Sequence, residues 1–278
     1  MARERVRARR FWGSAGMLGI ALYCLVPFYW MVVSSFRRTA DIHDKTPWPA
    51  PWSLESYGAV FAADMGFGRS LLNSFVVAGT TTLVTLAVGT LAAYALARLE
   101  FRGKNVVLAL VIAVSMFPGA LLIVPLLELF TTIGWINTYQ AMIVPSMSFA
   151  LPLTIWNLTT FFRQLPYDLE QAAMIDGCTP FAAFRRVMLP LAAPGVFTTA
   201  ILAFIATWNE FIIAVTMVND QARQPATVRI AQFTGAAQFD TPFGTQMAAG
   251  VLVTIPLVLL VLFFQRRIVA GLTAGALK

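Results

Sequence analysis

A short polar stretch inside an apolar segment offers the clearest chance of ligand chemistry in this sequence. Trp208, Asn209 and Glu210 follow one another within a run of mainly apolar residues, and polar groups in such runs are costly unless they have a use. An indole ring can stack on the face of a sugar, while amide and carboxylate groups can hydrogen-bond its hydroxyls. The alternative is that Asn209 and Glu210 hydrogen-bond across packed helices and hold them together. Trp156 and Asn157 form a second, weaker pair of the same kind.

No other set of residues in the sequence is arranged for catalysis or metal binding. There is no G-x-x-x-x-G-K-[ST] phosphate-binding loop and no H-E-x-x-H pair, and His43 is the single histidine. The two cysteines, Cys24 and Cys178, lack the spacing of a metal site or a disulfide framework. We therefore expect no catalytic residue, no metal and no cofactor in this chain, so that any energy source must come from a partner.

The composition indicates an integral membrane protein. Hydrophobic residues make up 58% of the 278 residues, charged residues make up 12%, and the mean hydropathy is +0.73, whereas a soluble domain carries about 25% charged residues. A membrane-spanning helix needs about 20 mainly apolar residues. The sequence predicts an all-α, polytopic protein with six such helices, at residues 12–34, 71–97, 106–130, 139–162, 196–218 and 245–264. Pro118, Gly119 and Pro125 predict kinks in the third span.

The distribution of basic residues predicts the orientation of these helices. If the N-terminus lies in the cytoplasm, most of the 20 lysines and arginines fall in cytoplasmic segments, as the positive-inside rule requires, and six fall outside: Arg37, Arg38, Lys45, Arg69, Arg223 and Arg229. Both termini are then cytoplasmic, and the net charge of +7 reflects topology and not a nucleic-acid surface. The predicted organisation is a basic N-terminus (1–11), a transmembrane domain (12–265) with an outer loop (35–70) and a cytoplasmic loop (163–195), and a C-terminal tail (266–278).

The cytoplasmic loop reads as two helices joined by a sharp turn. Glu170 begins a stretch of good helix formers that extends to Ile175. Asp176 and Gly177 end that helix, because glycine readily takes the left-handed conformation of a helix C-cap. Thr179 then provides an N-cap for a second helix, and the proline that follows it suits the first helical position.

The second helix of the loop has an aromatic stripe. Phe181, Phe184 and Met188 recur at spacings of three and four, so they would share one face, with Arg185 off that face. The prolines at residues 190 and 194 would close the element. The prediction is a short helix whose exposed stripe needs a partner surface to bury it.

This loop resembles the EAA loop in the membrane subunits of ABC importers, which forms a coupling helix that docks in a cleft of the cytoplasmic ATPase. The family pattern E-A-A-x-x-D-G has glutamine in place of glutamate here, so a charge contact would have to come from Glu170. The resemblance assigns ATPase coupling to these residues: Glu170, Gln171, Ala172, Ala173, Asp176, Gly177, Phe181, Phe184 and Arg185. The alternative is an ordinary amphipathic helix lying on the membrane surface.

Further matches resemble the maltose-type carbohydrate permeases within that class. They comprise the turn residues Gly134, Asn137 and Thr138, the pair Asn73-Ser74, the W-N-E-F run at 208–211 and the tail at 271–275. Glycine and asparagine at such positions break and cap helices. The turn residues therefore indicate the family and not a ligand site.

The resemblance implies a type I ABC importer permease fold and alternating access driven by ATP. The implied partners are a second homologous permease chain, two ATP-binding subunits that carry ATP and Mg²⁺, an external substrate-binding protein or lipoprotein, and membrane lipid. A secondary transporter or channel is the alternative, but it would need ionisable residues along the spans. An intramembrane enzyme would need paired acids or an activated nucleophile. The spans contain no cationic groups that would favour an anionic substrate, so a neutral di- or oligosaccharide such as trehalose or maltose is expected; another oligosaccharide, a polyol or a glycerophosphodiester-like solute remains open.

Overall fold

A computed structural model describes residues 2–62, 66–233 and 242–274, with side chains for residues 13–62, 66–233 and 242–265. Across these residues the chain forms helices and turns, without a β-strand, as the composition predicts. It divides into two compact units, one of Met1–Phe67 and Ile230–Ile255 and the other of Gly68–Arg229 and Pro256–Lys278. The second unit contains the site residues that the sequence predicts.

The first unit begins with helix α1, Ala2–Ser35, whose apolar part, Gly13–Ser35, is long enough to cross a membrane. The loop that follows contains a 3-10 turn, Thr39–Asp41, and helix α2, Glu55–Val60. Arg37 organises this loop, because its buried guanidinium donates hydrogen bonds to the carbonyls of two loop residues, Asp44 and Thr46.

The remaining long helices match four of the predicted spans in outline. Helix α3 is Phe67–Arg98, helix α6 is Gln140–Gln164 and helix α12 is Phe243–Ala274. A fourth apolar stretch, Pro180–Trp208, is formed by successive helical segments. Together with α1, five helices in the described residues are long and apolar enough to cross a membrane.

The third predicted span is broken and not merely kinked. Helix α4, Lys104–Ser115, is followed by a 3-10 turn, Gly119–Leu122, and by helix α5, Ile123–Thr132. The two halves are bent by 84°. Pro118 is extended, with ψ of 109°, which interrupts the helix, and proline also lacks the N–H donor that would continue it. The expected single helix over 106–130 is therefore wrong, and a sixth span exists only if the bent pair crosses as one.

The fifth span also differs from its predicted limits of 196–218. Helix α7, Tyr167–Ile175, turns into helix α8, Pro180–Ala183, which continues through a π-helical turn, Phe184–Met188, into helix α9, Leu189–Trp208. The prolines at 190 and 194 do not close the loop helix as expected. Pro190 follows the π-helical turn directly and lies at the start of α9, so the loop and the span form one element. After a break, the chain resumes as helix α10, Ile212–Met217, and later helix α11, Ala226–Ala231.

Close helix packing and a polar connection hold the second unit together. A Cβ on Gly195 of α9 would lie 2.6 Å from the ring of Phe161 in α6, so only glycine allows this approach. The side-chain amide of Asn73 in α3 donates to the carbonyls of Ala222 and Gln224 at 3.1 and 3.0 Å and accepts from the hydroxyl of Tyr139 at 2.8 Å.

Candidate functional site

The turn between α7 and α8 has the geometry that the sequence predicts. Gly177 has φ of +88°, its N–H donates to Met174, and the N–H of Cys178 donates to Ala173. These two bonds form the left-handed C-cap in which glycine is favoured. The hydroxyl of Thr179 accepts the N–H of Ala182 at 3.2 Å, which confirms the N-cap. The turn thus fixes the direction of one helix relative to the next.

One surface of this turn is apolar and exposed. Ile175 is 85% exposed and Phe181 is 66% exposed, and polar residues surround them. We call this surface the loop face; its exposed residues are Gln171, Ala172, Met174, Ile175, Asp176, Gly177, Phe181 and Arg185. Phe181 stands at the start of the apolar stretch Pro180–Trp208, and large exposed apolar side chains that are rimmed by polar residues indicate a contact surface.

The predicted aromatic stripe does not remain together on that face. Phe184 is only 6% exposed and Met188 is fully buried, and the ring of Phe184 lies 4.6 Å from that of Tyr94 and 6.4 Å from that of Phe162. The expectation that the whole stripe awaits a partner is wrong for these two residues. Because α8 runs into α9, they belong to the inward side of one long helix, and only Phe181 stays outside.

Glu170 is also turned inward, away from the loop face. Its carboxylate accepts a hydrogen bond from the hydroxyl of Tyr94, and it lies 3.5 Å from the guanidinium of Arg98, with both side chains less than one-tenth exposed. The expected use of Glu170 as a substitute charge for the motif glutamate does not fit this position. The sequence analysis missed Tyr94 and Arg98 as partners of Glu170; their signal is a tyrosine and an arginine four residues apart at the end of an apolar span.

Trp208 is not placed to stack on a ligand. It is 2% exposed, and its indole ring packs 4.7 Å from the ring of Phe75 and 5.5 Å from that of Phe204. The expected sugar contact through this ring is therefore wrong in this conformation, and Trp208 is a packing residue between α3 and α9. Its neighbour Asn209 is exposed and donates to Ile205 of its own helix at 2.8 Å.

Glu210 lies in the break between α9 and α10 and not well within a helix. Its carboxylate accepts hydrogen bonds from the backbone N–H groups of Ile213 and Ala214 at 2.8 and 3.1 Å. The first N–H groups of a helix have no partner within it. Glu210 thus caps the start of α10, and its backbone carbonyl accepts the hydroxyl of Thr227 at 3.1 Å.

Two of the predicted pathway residues line the same cavity. A space of about 140 Å³ lies between α6 and α9, and its lining includes Asn157 and Glu210 together with Ser146, Thr199 and Thr207. Trp156 is not in this lining, and its side chain is 44% exposed. The structure therefore places Asn157 and Glu210 in the lining of one cavity, to which neither tryptophan contributes.

A larger groove of about 660 Å³ lies beside the broken third span. Leu110, Phe117 and Leu126 are among its residues, and Ser148 contributes a hydroxyl that is already bonded to Val144 at 3.0 Å. The side chains that line this groove are otherwise apolar, so it would suit an apolar ligand and not a sugar. Within the part of the chain that has described side chains, no group of three or more His, Cys, Asp or Glu residues could hold a metal ion.

The sequence of this helical chain matches a known family. Residues 85–273 match the family described as binding-protein-dependent transport system inner membrane component. The chain belongs to this family. Members of this importer permease family are transport proteins of the inner membrane, so the chain is a multi-pass membrane permease and lies among transport permeases and not among ATPases.

Individual permeases are similar to this chain over nearly its whole length. The trehalose transport system permease protein SugB of Mycobacterium tuberculosis is 42% identical over 98% of both chains. The trehalose/maltose transport system permease protein MalG of Thermococcus litoralis is 42% identical over 95% of both. A chain in the crystal structure of a bacterial ABC transporter involved in the import of the acidic polysaccharide alginate has a TM-score of 0.80, covering 94% of this chain and 97% of that chain at 21% identity. The latter supports the importer permease fold.

Proposed function

We propose that this chain is a permease subunit of an ATP-driven ABC importer for a neutral di- or oligosaccharide such as trehalose or maltose. The observation that carries the proposal is the 42% identity, over 98% of the chain, to a trehalose transport permease. A second relative at 42% identity transports trehalose or maltose, as its name states. The described spans carry no set of ionisable groups of the kind that ion coupling requires, so ATP hydrolysis on a partner is the expected energy source.

The loop face is the proposed contact with the ATPase. Ile175 and Phe181 are exposed apolar side chains on a turn of fixed geometry, and Asp176 and Arg185 supply polar groups at their edge. Apolar anchors within a polar rim are typical of protein interfaces. Because α8 continues through the π-helical turn into α9 without a break, movement of the docked turn would be passed to a membrane span.

The cavity beside Asn157 and Glu210 is the proposed contribution of this chain to the sugar pathway. At about 140 Å³ it is smaller than the roughly 300–1,000 Å³ of ordinary ligand pockets. A pathway shared with a second permease chain accounts for that size. Asn157 is the side chain in this lining that we assign to sugar hydroxyls, since the Glu210 carboxylate already accepts two backbone N–H groups.

The rest of the assembly follows from the family and the charge distribution. Two ATP-binding subunits would carry ATP and Mg²⁺, and an external binding protein or lipoprotein would deliver the sugar. Most basic residues fall in the segments on one side of the predicted spans, which supports cytoplasmic N- and C-termini. This orientation would bring the loop face to the side of the ATPases.

Purification of the tagged chain from native membranes in mild detergent tests this proposal. Mass spectrometry should identify an ATP-binding subunit, a second permease and an exported binding protein. The binding protein can then be titrated with trehalose, maltose, a polyol and a charged sugar. Recovery of the chain alone, or only as a homo-oligomer without an ATPase, would overturn the importer assignment. Binding of only an anionic solute would overturn the substrate class.

A further inference from the structure

A buried ionic contact joins the loop to helix α3. Glu170 lies in the first turns of α7, and Arg98 is the last residue of α3. Their side chains are 8% and 7% exposed, and Nε of Arg98 is 3.5 Å from Oε2 of Glu170. Surface ion pairs contribute little, but removing one partner of a buried pair is strongly destabilising. This pair therefore links α3 firmly to α7, although Arg98 and Glu170 are 72 residues apart in sequence.

Three further contacts fix the same two side chains. The hydroxyl of Tyr94, one turn before Arg98 on α3, donates to the other carboxylate oxygen of Glu170. Arg98 donates from Nη2 to the carbonyl of Leu165 at 2.8 Å, and its guanidinium lies 5.7 Å from the ring of Tyr167. Arg98 thus contacts both the residues just before α7, through Leu165, and α7 itself, through Glu170.

The link has room to tighten. Among the described residues, Nε of Arg98 and Oε2 of Glu170 have no hydrogen-bond partner, although they face each other. A buried polar group without a partner is unfavourable, and a shift of less than about 1 Å would bring this pair into the range of an N–H···O bond. A small displacement of α7 relative to α3 would therefore change the strength of the contact.

We propose that Glu170, Arg98 and Tyr94 are positioning residues that transmit movement of the ATPase-docked loop to helix α3. This inference rests on the proposed function, and it gives the loop a second route into the membrane besides the continuous helix from α8 to α9. Glu170 acts through Arg98 and does not touch the ATPase. The loop face holds the partner, and the buried pair carries its motion to a second span.

The test compares Glu170→Gln with a charge-swapped double variant, Arg98→Glu with Glu170→Arg, in the complete importer. Glu170→Gln keeps the shape and can still accept from Tyr94, but it loses the charge. We expect this variant to retain its ATPase subunits in mild detergent, while trehalose uptake per ATP hydrolysed falls by about tenfold, the scale of a lost charged contact. The double variant restores a pair of opposite charges but not the hydrogen bonds from Tyr94 to Glu170 and from Arg98 to Leu165, so it should recover only part of that coupling. Glu100→Gln is the matched control, because Glu100 pairs with Lys104 at 2.7 Å on the surface with a side chain 85% exposed.

Each outcome has one meaning. Normal uptake per ATP in Glu170→Gln would overturn the proposal, as would loss of the ATPase from a folded variant, since Glu170 would then be a docking residue. Should Glu170→Gln fail to fold, Tyr94→Phe removes one hydroxyl from the same contact, and unchanged coupling in that variant would overturn the proposal as well. A wild-type chain that retains no ATPase would overturn the proposed function itself, which separates the two failures.

Discussion

The carboxylate of Glu210 accepts the backbone N–H of Ile213 at 2.8 Å, three residues further along the chain. This is the contact of a helix cap, and a second bond to Ala214 at 3.1 Å strengthens it. The acid that looks most like a ligand in the sequence is thus occupied by the start of α10. If Glu210 acts as a cap, its substitution should lower stability. If it acts in the pathway beside the cavity, its substitution should lower uptake.

Glu210→Ala should destabilise the protein by about 1 kcal/mol, the usual cost of a lost helix cap. Glu210→Gln keeps an amide oxygen as acceptor and should lose less. Thermal unfolding in detergent measures both, and Asn209→Ala in the same break is the control, because its side chain is exposed and bonds only to its own helix. Equal stability of Glu210→Ala and wild type, together with lost uptake, would assign Glu210 to the pathway instead of the cap.

Sequence reasoning succeeded where the deciding signal is local. The lengths of the apolar stretches predicted helices α1, α3, α6 and α12, and Asp176, Gly177 and Thr179 predicted the loop turn with its cap. The 84° bend of the third span was less accessible, because Pro118 marks an interruption but not its angle.

The remaining differences depend on tertiary packing. Pro190 reads as a helix stop in isolation, yet a π-helical turn places it in the first turn of α9. Nor does the spacing reveal that Glu170 faces α3 and that Phe184 faces both α3 and α6. The burial of Trp208 is equally hidden in the sequence. Its ring packs on Phe204, 4 residues away, but also on Phe75, 133 residues away.

Gly177→Val should weaken ATPase association and sugar uptake while the chain still reaches the membrane. The φ of +88° is unfavourable for a residue with a Cβ, at roughly 1–2 kcal/mol, and valine is further restricted by its branched side chain. No atom lies within 4 Å of an added Cβ, so the effect comes from the backbone alone. Gly177→Asn is the control, since asparagine tolerates the left-handed region. Retention of ATPase and uptake in Gly177→Val would contradict the docking role of the turn.

Truncation of Phe184 should reduce the stability of the chain, whereas truncation of Phe181 should reduce its association with the ATPase. Phe184→Ala removes a buried ring and should lower the free energy of unfolding by about 3–5 kcal/mol. Phe181 is 66% exposed, so Phe181→Ala should leave the unfolding temperature of the isolated chain nearly unchanged but reduce the amount of ATPase that co-purifies. Thermal unfolding and quantitative mass spectrometry separate the two effects. Full ATPase recovery with Phe181→Ala would remove this ring from the proposed interface.

Asn137 should stabilise the chain through its conformation and its side chain together. It has φ of +62°, and its amide oxygen accepts the N–H groups of Asn219 and Asp220 at 2.7 and 2.8 Å, which ties the turn before α6 to the segment after α10. Asn137→Gly keeps the backbone conformation but loses both hydrogen bonds, each worth about 1 kcal/mol. Asn137→Ala loses the bonds and adds the cost of a left-handed Cβ.

Asn137→Asp supplies the matched control for this series. A carboxylate can accept both N–H groups and aspartate tolerates the left-handed region, so its unfolding temperature should remain closest to wild type. The expected order of stability is therefore wild type and Asn137→Asp, then Asn137→Gly, then Asn137→Ala, measured by thermal unfolding in one detergent. Because these contacts are structural, uptake per folded molecule should be equal across the series. A variant with normal stability but reduced uptake would instead give Asn137 a direct part in transport.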